Sequence, residues 1–214
     1  LCDLYALRST IRQVKPDVIV NAAAYTAVDK AEFATDLADR VNGQASKVMA
    51  EEAEMLGAWL LHYSTDCVFS GQGSTPWQET DAVAPVNQYG ASKLAGEQAI
   101  IASGCKYLIF RTSWVYAARG NNFAKTMLRL AKDRETLSVI ADQIGAPTGA
   151  DLIADVTALA ILQAVKRDEL VGIYHLASGG EVSWHGYASH VFKFARANGG
   201  ALAVTAVNPI ETTA

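Results

Sequence analysis

Short apolar runs alternate with helix-period segments along the whole chain, and this alternation constrains the fold more than any other feature. Asp17-Val18-Ile19-Val20-Asn21, Ala58 to Ser64 and Tyr107 to Ser113 are nearly continuous apolar runs, the pattern of strands buried on both faces. Leu4, Leu7, Ile11 and Val14 fall at helical spacing before Lys15-Pro16-Asp17 ends the helix. Leu37, Val41, Ala45, Val48, Met49 and Leu56 mark one side of a long helix that stops at Gly57. Tyr89 to Ser103 predicts a helix closed by Gly104, and another starts near Asn122. A short strand follows at 137–140, Thr148-x-x-Asp151 reads as a capping box for a helix to Val165, and a strand spans 172–177. Ser183 opens a final helix. Strand and helix in this order predict an α/β fold with a parallel sheet covered on both faces. Ligands bind such sheets at the carboxyl ends of the strands, where Asn21, Thr65 and Ser113 stand.

Composition narrows the function classes. Apolar residues make up 50% and charged residues 19%, a globular mixture that excludes a disordered chain. The basic residues are scattered and the net charge is −4, so there is no stripe for nucleic acid. Cys2, Cys67 and Cys105 lie far apart without metal spacing, and are expected as reduced thiols of a cytoplasmic protein. No apolar run reaches membrane-spanning length. His62, His175, His185 and His190 share no ligand spacing, so no metal is expected and they read as structural or surface residues. Ser70 to Gln88 is a long loop of the kind that usually carries function.

Tyr89-Gly90-Ala91-Ser92-Lys93 opens a helix, and residues four apart share a face, so a phenol and an ammonium can address one site. A nearby cation is expected to lower the tyrosine pKa and make Tyr89 a proton donor, with Lys93 tuning it and bonding a ribose. Taken alone, the spacing equally fits an exposed helix start. Ser64-Thr65-Asp66 ends a buried strand twenty-four residues upstream and places a hydroxyl at the ligand edge, able to hold a carbonyl beside the tyrosine. Asp66 fits either a substrate contact or a cap of the following turn.

These residues sit within longer segments: Asn21 to Glu32, Tyr63 to Phe69, Pro85 to Glu97, Arg111 to Tyr116, Asn121 to Met127 and Asp142 to Thr148. In that order they resemble the dTDP-4-dehydrorhamnose reductase family of extended short-chain dehydrogenases, over nearly the whole chain. The resemblance implies a Rossmann-type doubly wound parallel sheet with its first strands missing, plus a small substrate-binding lobe. It implies NADPH or NADH as cofactor and reduction of the C4 ketone of dTDP-4-dehydro-L-rhamnose to dTDP-L-rhamnose. Tyr89, Lys93 and Thr65 match the catalytic residues. Ala22, Ala23, Ala24, Tyr25 and Thr26 match the cofactor-lining stretch, where small side chains let backbone approach the dinucleotide. Asp3 and Leu4 resemble the acidic turn near the adenine, although Cys2 stands where glycine is usual. Thr65, Asp66 and Trp114 match substrate contacts, with a core aromatic as the alternative for Trp114. Cys67 replaces a commoner tyrosine, a change of packing and not of mechanism.

The sequence holds no glycine-rich phosphate turn, so the chain is expected to be a fragment lacking both ends of the family fold. Its expected division is an incomplete nucleotide-binding domain over 1–136 and, over 137–214, a mixed region of substrate lobe and returning Rossmann elements. Without the first strand, the strand at 17–21 is expected to be an open edge and the chain to bind NADPH poorly, which a fluorescence titration tests. Expected partners are a nucleotide sugar and no nucleic acid or membrane. A homodimer, another nucleotide-sugar reductase or epimerase, and a regulatory binding subunit stay open as alternatives. A pure binder would have no need of Thr65, Tyr89 and Lys93 together.

Overall fold

The computed structural model describes residues 1–212. Its longer elements are α1 (Leu4–Val14), β1 (Val18–Asn21), α2 (Ala45–Leu56), β2 (Trp59–Thr65), α3 (Gln88–Ser103), β3 (Lys106–Thr112), α4 (Phe123–Asp133), β4 (Thr136–Ile140), α5 (Ala150–Ala164), β5 (Gly172–His175), α6 (Trp184–Ala197) and β6 (Ala206–Ile210). The first three strands and β5 form one sheet in the order β1-β2-β3-β5, and every pairing in it is parallel. Parallel neighbours need crossovers, and the helices between the strands supply them. Among the described residues β1 is an edge strand.

Ile11, Met49, Leu60, Ile100 and Ile109 pack one core against this sheet, and Trp59, Leu61, Leu108 and Phe110 pack a second with Ala164 of α5. Alternate residues of β2 and β3 therefore feed opposite cores, which is why both strands read as unbroken apolar runs. Glu52 of α2 is fully buried yet held by Arg8 and Arg12 of α1, Arg12 Nε at 2.7 Å. That pairing stitches α1 to α2.

The chain divides into two compact units, Leu1–Thr112 with Val156–Leu176, and Ser113–Asp155 with the residues from Ala177 onward. The second unit begins at Ser113, ahead of the expected residue 136, because α4 packs with α6 and β4 around Ala131, Leu137, Val139 and Phe192; β5, from the expected mixed region, returns to pair with β3. In this second core β4 pairs in parallel with β6, a strand that its own Asn208-Pro209 disguises, since proline is a strand breaker except at edges.

The long helix expected along Leu37 to Leu56 runs without a break from Thr35 to Leu56, with a π-helical turn at Asp39–Gln44 before α2. Thr148 is not seen closing a capping box; its hydroxyl donates to the Ala146 carbonyl and accepts from the Ser178 N–H. No described helix is long and apolar enough to cross a membrane.

Candidate active site

The site starts at the carboxyl end of β2. Thr65 leaves the strand into a short turn over Asp66–Val68. Its hydroxyl donates to Asp66 Oδ1 at 3.0 Å and accepts from the Cys67 N–H at 3.1 Å. The start of α3 docks on this turn. Asn87 caps the helix by accepting from the Gly90 N–H at 2.7 Å, and a Cβ at Gly90 would stand 2.2 Å from the Cys67 carbonyl oxygen. Only glycine lets the helix come so close.

That approach brings Tyr89 to Thr65. Burial first, and then the neighbouring Cys67, push the phenol up to about 12, against a side-chain hydrogen bond with Thr65 that pulls it down. Lys93 is not among the groups that act on this phenol, so the expectation that it lowers the pKa is not met. A phenol in this state is fully protonated at neutral pH, which suits it to give a proton.

Lys93 lies one turn further along α3 and is almost fully buried. Its Nζ donates to the Tyr63 carbonyl at 2.5 Å and lies 3.1 Å from His62 Nε2. Burial lowers its pKa to about 8, with Glu97 acting in the opposite direction. Glu97 itself is buried and forked onto Arg111 of β3, Oε1 at 3.0 Å from Nε and Oε2 at 2.7 Å from Nη2. The pair anchors α3 to the sheet one turn beyond the lysine.

Three polar residues of this site are missed by sequence reasoning. His62 is wholly buried in the middle of β2, with its pKa driven well below the usual value by burial and then by Lys93. Its Nδ1 is 2.9 Å from Asn21 Nδ2. Asn42, on the π-helical turn, clamps the loop after β1: it accepts from the Tyr25 N–H at 2.8 Å and donates to the Tyr25 carbonyl at 3.1 Å. It also donates to Ser92 Oγ at 2.9 Å, and Ser92 donates to the Tyr89 carbonyl. A Cβ at Gly96 would stand 2.4 Å from the Asn42 carbonyl oxygen, so α3 presses on this turn too. The available signal was polarity inside apolar segments, because buried polar side chains require partners.

The loop Ala22–Thr26 is thus held by its backbone, and Ala22, Ala23 and Thr26 are exposed. Asp3 caps α1 by accepting from the Ala6 N–H at 2.9 Å, and Leu4 packs on the first core. Trp114 belongs to the second unit. It holds a left-handed φ of 46°, which is rare for a bulky residue, and its indole stacks on Trp184 with centroids 3.4 Å apart. Its edge lies where a Cβ on Gly145 would be, 2.4 Å from Cε2. Trp114 is partly buried. Among the described residues no cluster of three metal-ligating side chains exists.

The family model described as the RmlD substrate binding domain matches residues 1–214. The dTDP-4-dehydrorhamnose reductase of Salmonella typhimurium is 58% identical over 205 residues, covering 96% of this chain and 69% of that protein. The enzyme of the same name from Escherichia coli K12 is 56% identical over the same span and coverage. A solved dTDP-4-dehydrorhamnose reductase from Bacillus anthracis, in complex with NADP, superposes with a TM-score of 0.86 at 39% identity. That match covers 99% of this chain and 71% of the other.

Proposed function

The chain belongs to the dTDP-4-dehydrorhamnose reductase family, and from that premise we propose that it reduces the C4 ketone of dTDP-4-dehydro-L-rhamnose with NADPH or NADH. The observation that supports the reading is the hydrogen bond between Thr65 and Tyr89 at the carboxyl edge of a parallel sheet, with Lys93 one helical turn further along α3. The residues present fit the nicotinamide-ribose end of a dinucleotide. Methyl side chains at Ala22 and Ala23 leave exposed backbone approachable, and Lys93 keeps an N–H beyond the one given to the Tyr63 carbonyl. The dinucleotide, when bound, supplies the hydride.

In this reading each protein group has one task. Thr65 turns its hydroxyl to the substrate carbonyl and holds it beside Tyr89. Tyr89, protonated at neutral pH because burial raises its pKa, gives its proton to the oxygen as the alkoxide forms. Lys93 as an ammonium stabilises the phenolate left behind. Asn42 keeps the Ala22–Thr26 loop and the first turn of α3 in register. The first unit carries the cofactor and the proton donor, with Asp3 and Leu4 at the adenine end. Asp66 and Trp114 are assigned as substrate contacts. Free thiols at Cys2, Cys67 and Cys105 suit a cytoplasmic reaction.

The test is NADPH oxidation with dTDP-4-dehydrorhamnose. Tyr89→Phe should remove most of the turnover while cofactor affinity, read by fluorescence, stays nearly unchanged. Full turnover in that variant ends the assignment.

A further inference from the structure

The donor and acceptor pattern around His62 leaves little choice of protonation state. Ser46 donates its hydroxyl proton to the Asn42 carbonyl at 2.7 Å. Its oxygen can then only accept from the Asn21 amide 3.4 Å away. Asn21 Oδ1 meanwhile accepts from the Ala23 N–H at 3.3 Å. Both contacts require the Asn21 NH2 to face Ser46, and the same NH2 lies 2.9 Å from His62 Nδ1. Nδ1 must therefore accept, so in the neutral ring the proton sits on Nε2. Nε2 is the atom 3.1 Å from Lys93 Nζ.

We propose that His62 is a positioning residue: with its tautomer fixed by Asn21, it presents Nε2–H to Lys93, holds the lysine nitrogen, and biases it toward the amine. An ammonium at that place faces a donor with a donor. Relieving the clash by moving the proton to Nδ1 sets Nδ1–H against the Asn21 NH2 instead. Relieving it by turning Asn21 removes the acceptor from the Ala23 N–H and faces the Ser46 oxygen with another oxygen. The lysine's charge is thereby coupled, through one imidazole, to the loop at Ala22–Thr26. This deepens the reductase reading above, since the ammonium form of Lys93 is the one that stabilises the Tyr89 phenolate.

The other groups facing Lys93 act independently of His62. On α3, Glu97 lies one turn beyond and Tyr89 one turn before. Glu97 favours the ammonium but is already engaged by Arg111 of β3. From β2 come His62 itself and the Tyr63 carbonyl, which accepts from either form of the lysine. Asp66 and Cys67 bear on the Tyr89 phenol.

Two measurements test the proposal. The first needs no activity: nitrogen-15 NMR of the ligand-free protein at neutral pH should show His62 with an unprotonated Nδ1 and a protonated Nε2. An Nδ1–H tautomer or an imidazolium overturns it. The second uses His62→Gln, whose terminal amide stands near the place of Nε2 and can turn its oxygen to accept from an ammonium. The alkaline limb of kcat/KM should then move up by about one pH unit, a tenfold change in proton affinity, while KM for the cofactor stays nearly unchanged. An unmoved limb in a folded His62→Gln variant also overturns it. If the wild-type protein binds NADPH yet shows no reductase activity, the functional reading fails, and the tautomer measurement still decides the role of His62.

Discussion

Replacing Glu97 with alanine probes the anchor under the catalytic helix. Both partners are buried, Arg111 at 4% and Glu97 at 1% side-chain exposure, and the fork uses both carboxylate oxygens. Without Glu97 the guanidinium keeps the Glu79 carbonyl at 3.3 Å and the face of Phe69 at 5.0 Å, and the Glu79 carboxylate acts on it through charge without forking onto it. Breaking one side of a buried pair costs about 3–5 kcal/mol, because an uncompensated charge is left inside. For a chain of this size, about 2–4 °C per kcal/mol puts the loss of Tm between roughly 6 and 20 °C. Thermal melts followed by circular dichroism measure it. The double replacement Glu97→Leu with Arg111→Met removes both charges and should recover most of that loss. Glu97 also favours the ammonium of Lys93, so the single variant should shift the alkaline limb of activity to lower pH. A loss below about 1 kcal/mol for Glu97→Ala, or a double variant no better than the single, refutes the reasoning.

Three other outcomes follow from the same geometry. Gly90→Ala drives a Cβ toward backbone at Cys67, so it should cost about 1–3 kcal/mol and lower kcat by moving Tyr89 off Thr65; an unaltered kcat argues against that docking. Asn42→Ala leaves the Tyr25 N–H and carbonyl without their partner and should cost about 2–3 kcal/mol. Faster hydrogen exchange at the Tyr25 amide is the readout, and unchanged protection contradicts the clamp. For Lys93, burial depresses the folded pKa to about 8 from 10.5. The unfolded chain thus binds more protons between those values, and stability from this group is lowest below pH 8 and rises toward pH 10.5. Against Lys93→Met, the wild type should gain on the order of 3 kcal/mol across that window. Parallel urea-denaturation profiles for the two proteins across it are incompatible with a buried, depressed lysine.

The sequence by itself determined the strands and most helix ends, because these depend on local periods and caps. Unbroken apolar runs mark β2 and β3, Gly57 and Gly104 end α2 and α3 in left-handed conformations, and Ser183 caps α6. It also marked Thr65, Tyr89 and Lys93, since one strand end and one helical turn place them whatever the distant packing. The π-helical turn is invisible at that level, because its extra residue hides within a helix-like pattern. So is β6, whose proline reads as a breaker until β4 is seen beside it. Only the tertiary structure decided what each polar group faces. Histidine 62 read as structural from its spacing, yet β1, β2 and α3 converge to set its ring between Asn21 and Lys93. The same convergence turned the expected effect on Tyr89 around. Four-residue spacing puts the phenol and the ammonium on one face, but burial acts on both, and the energy of removing a charge from water outweighs proximity along a helix.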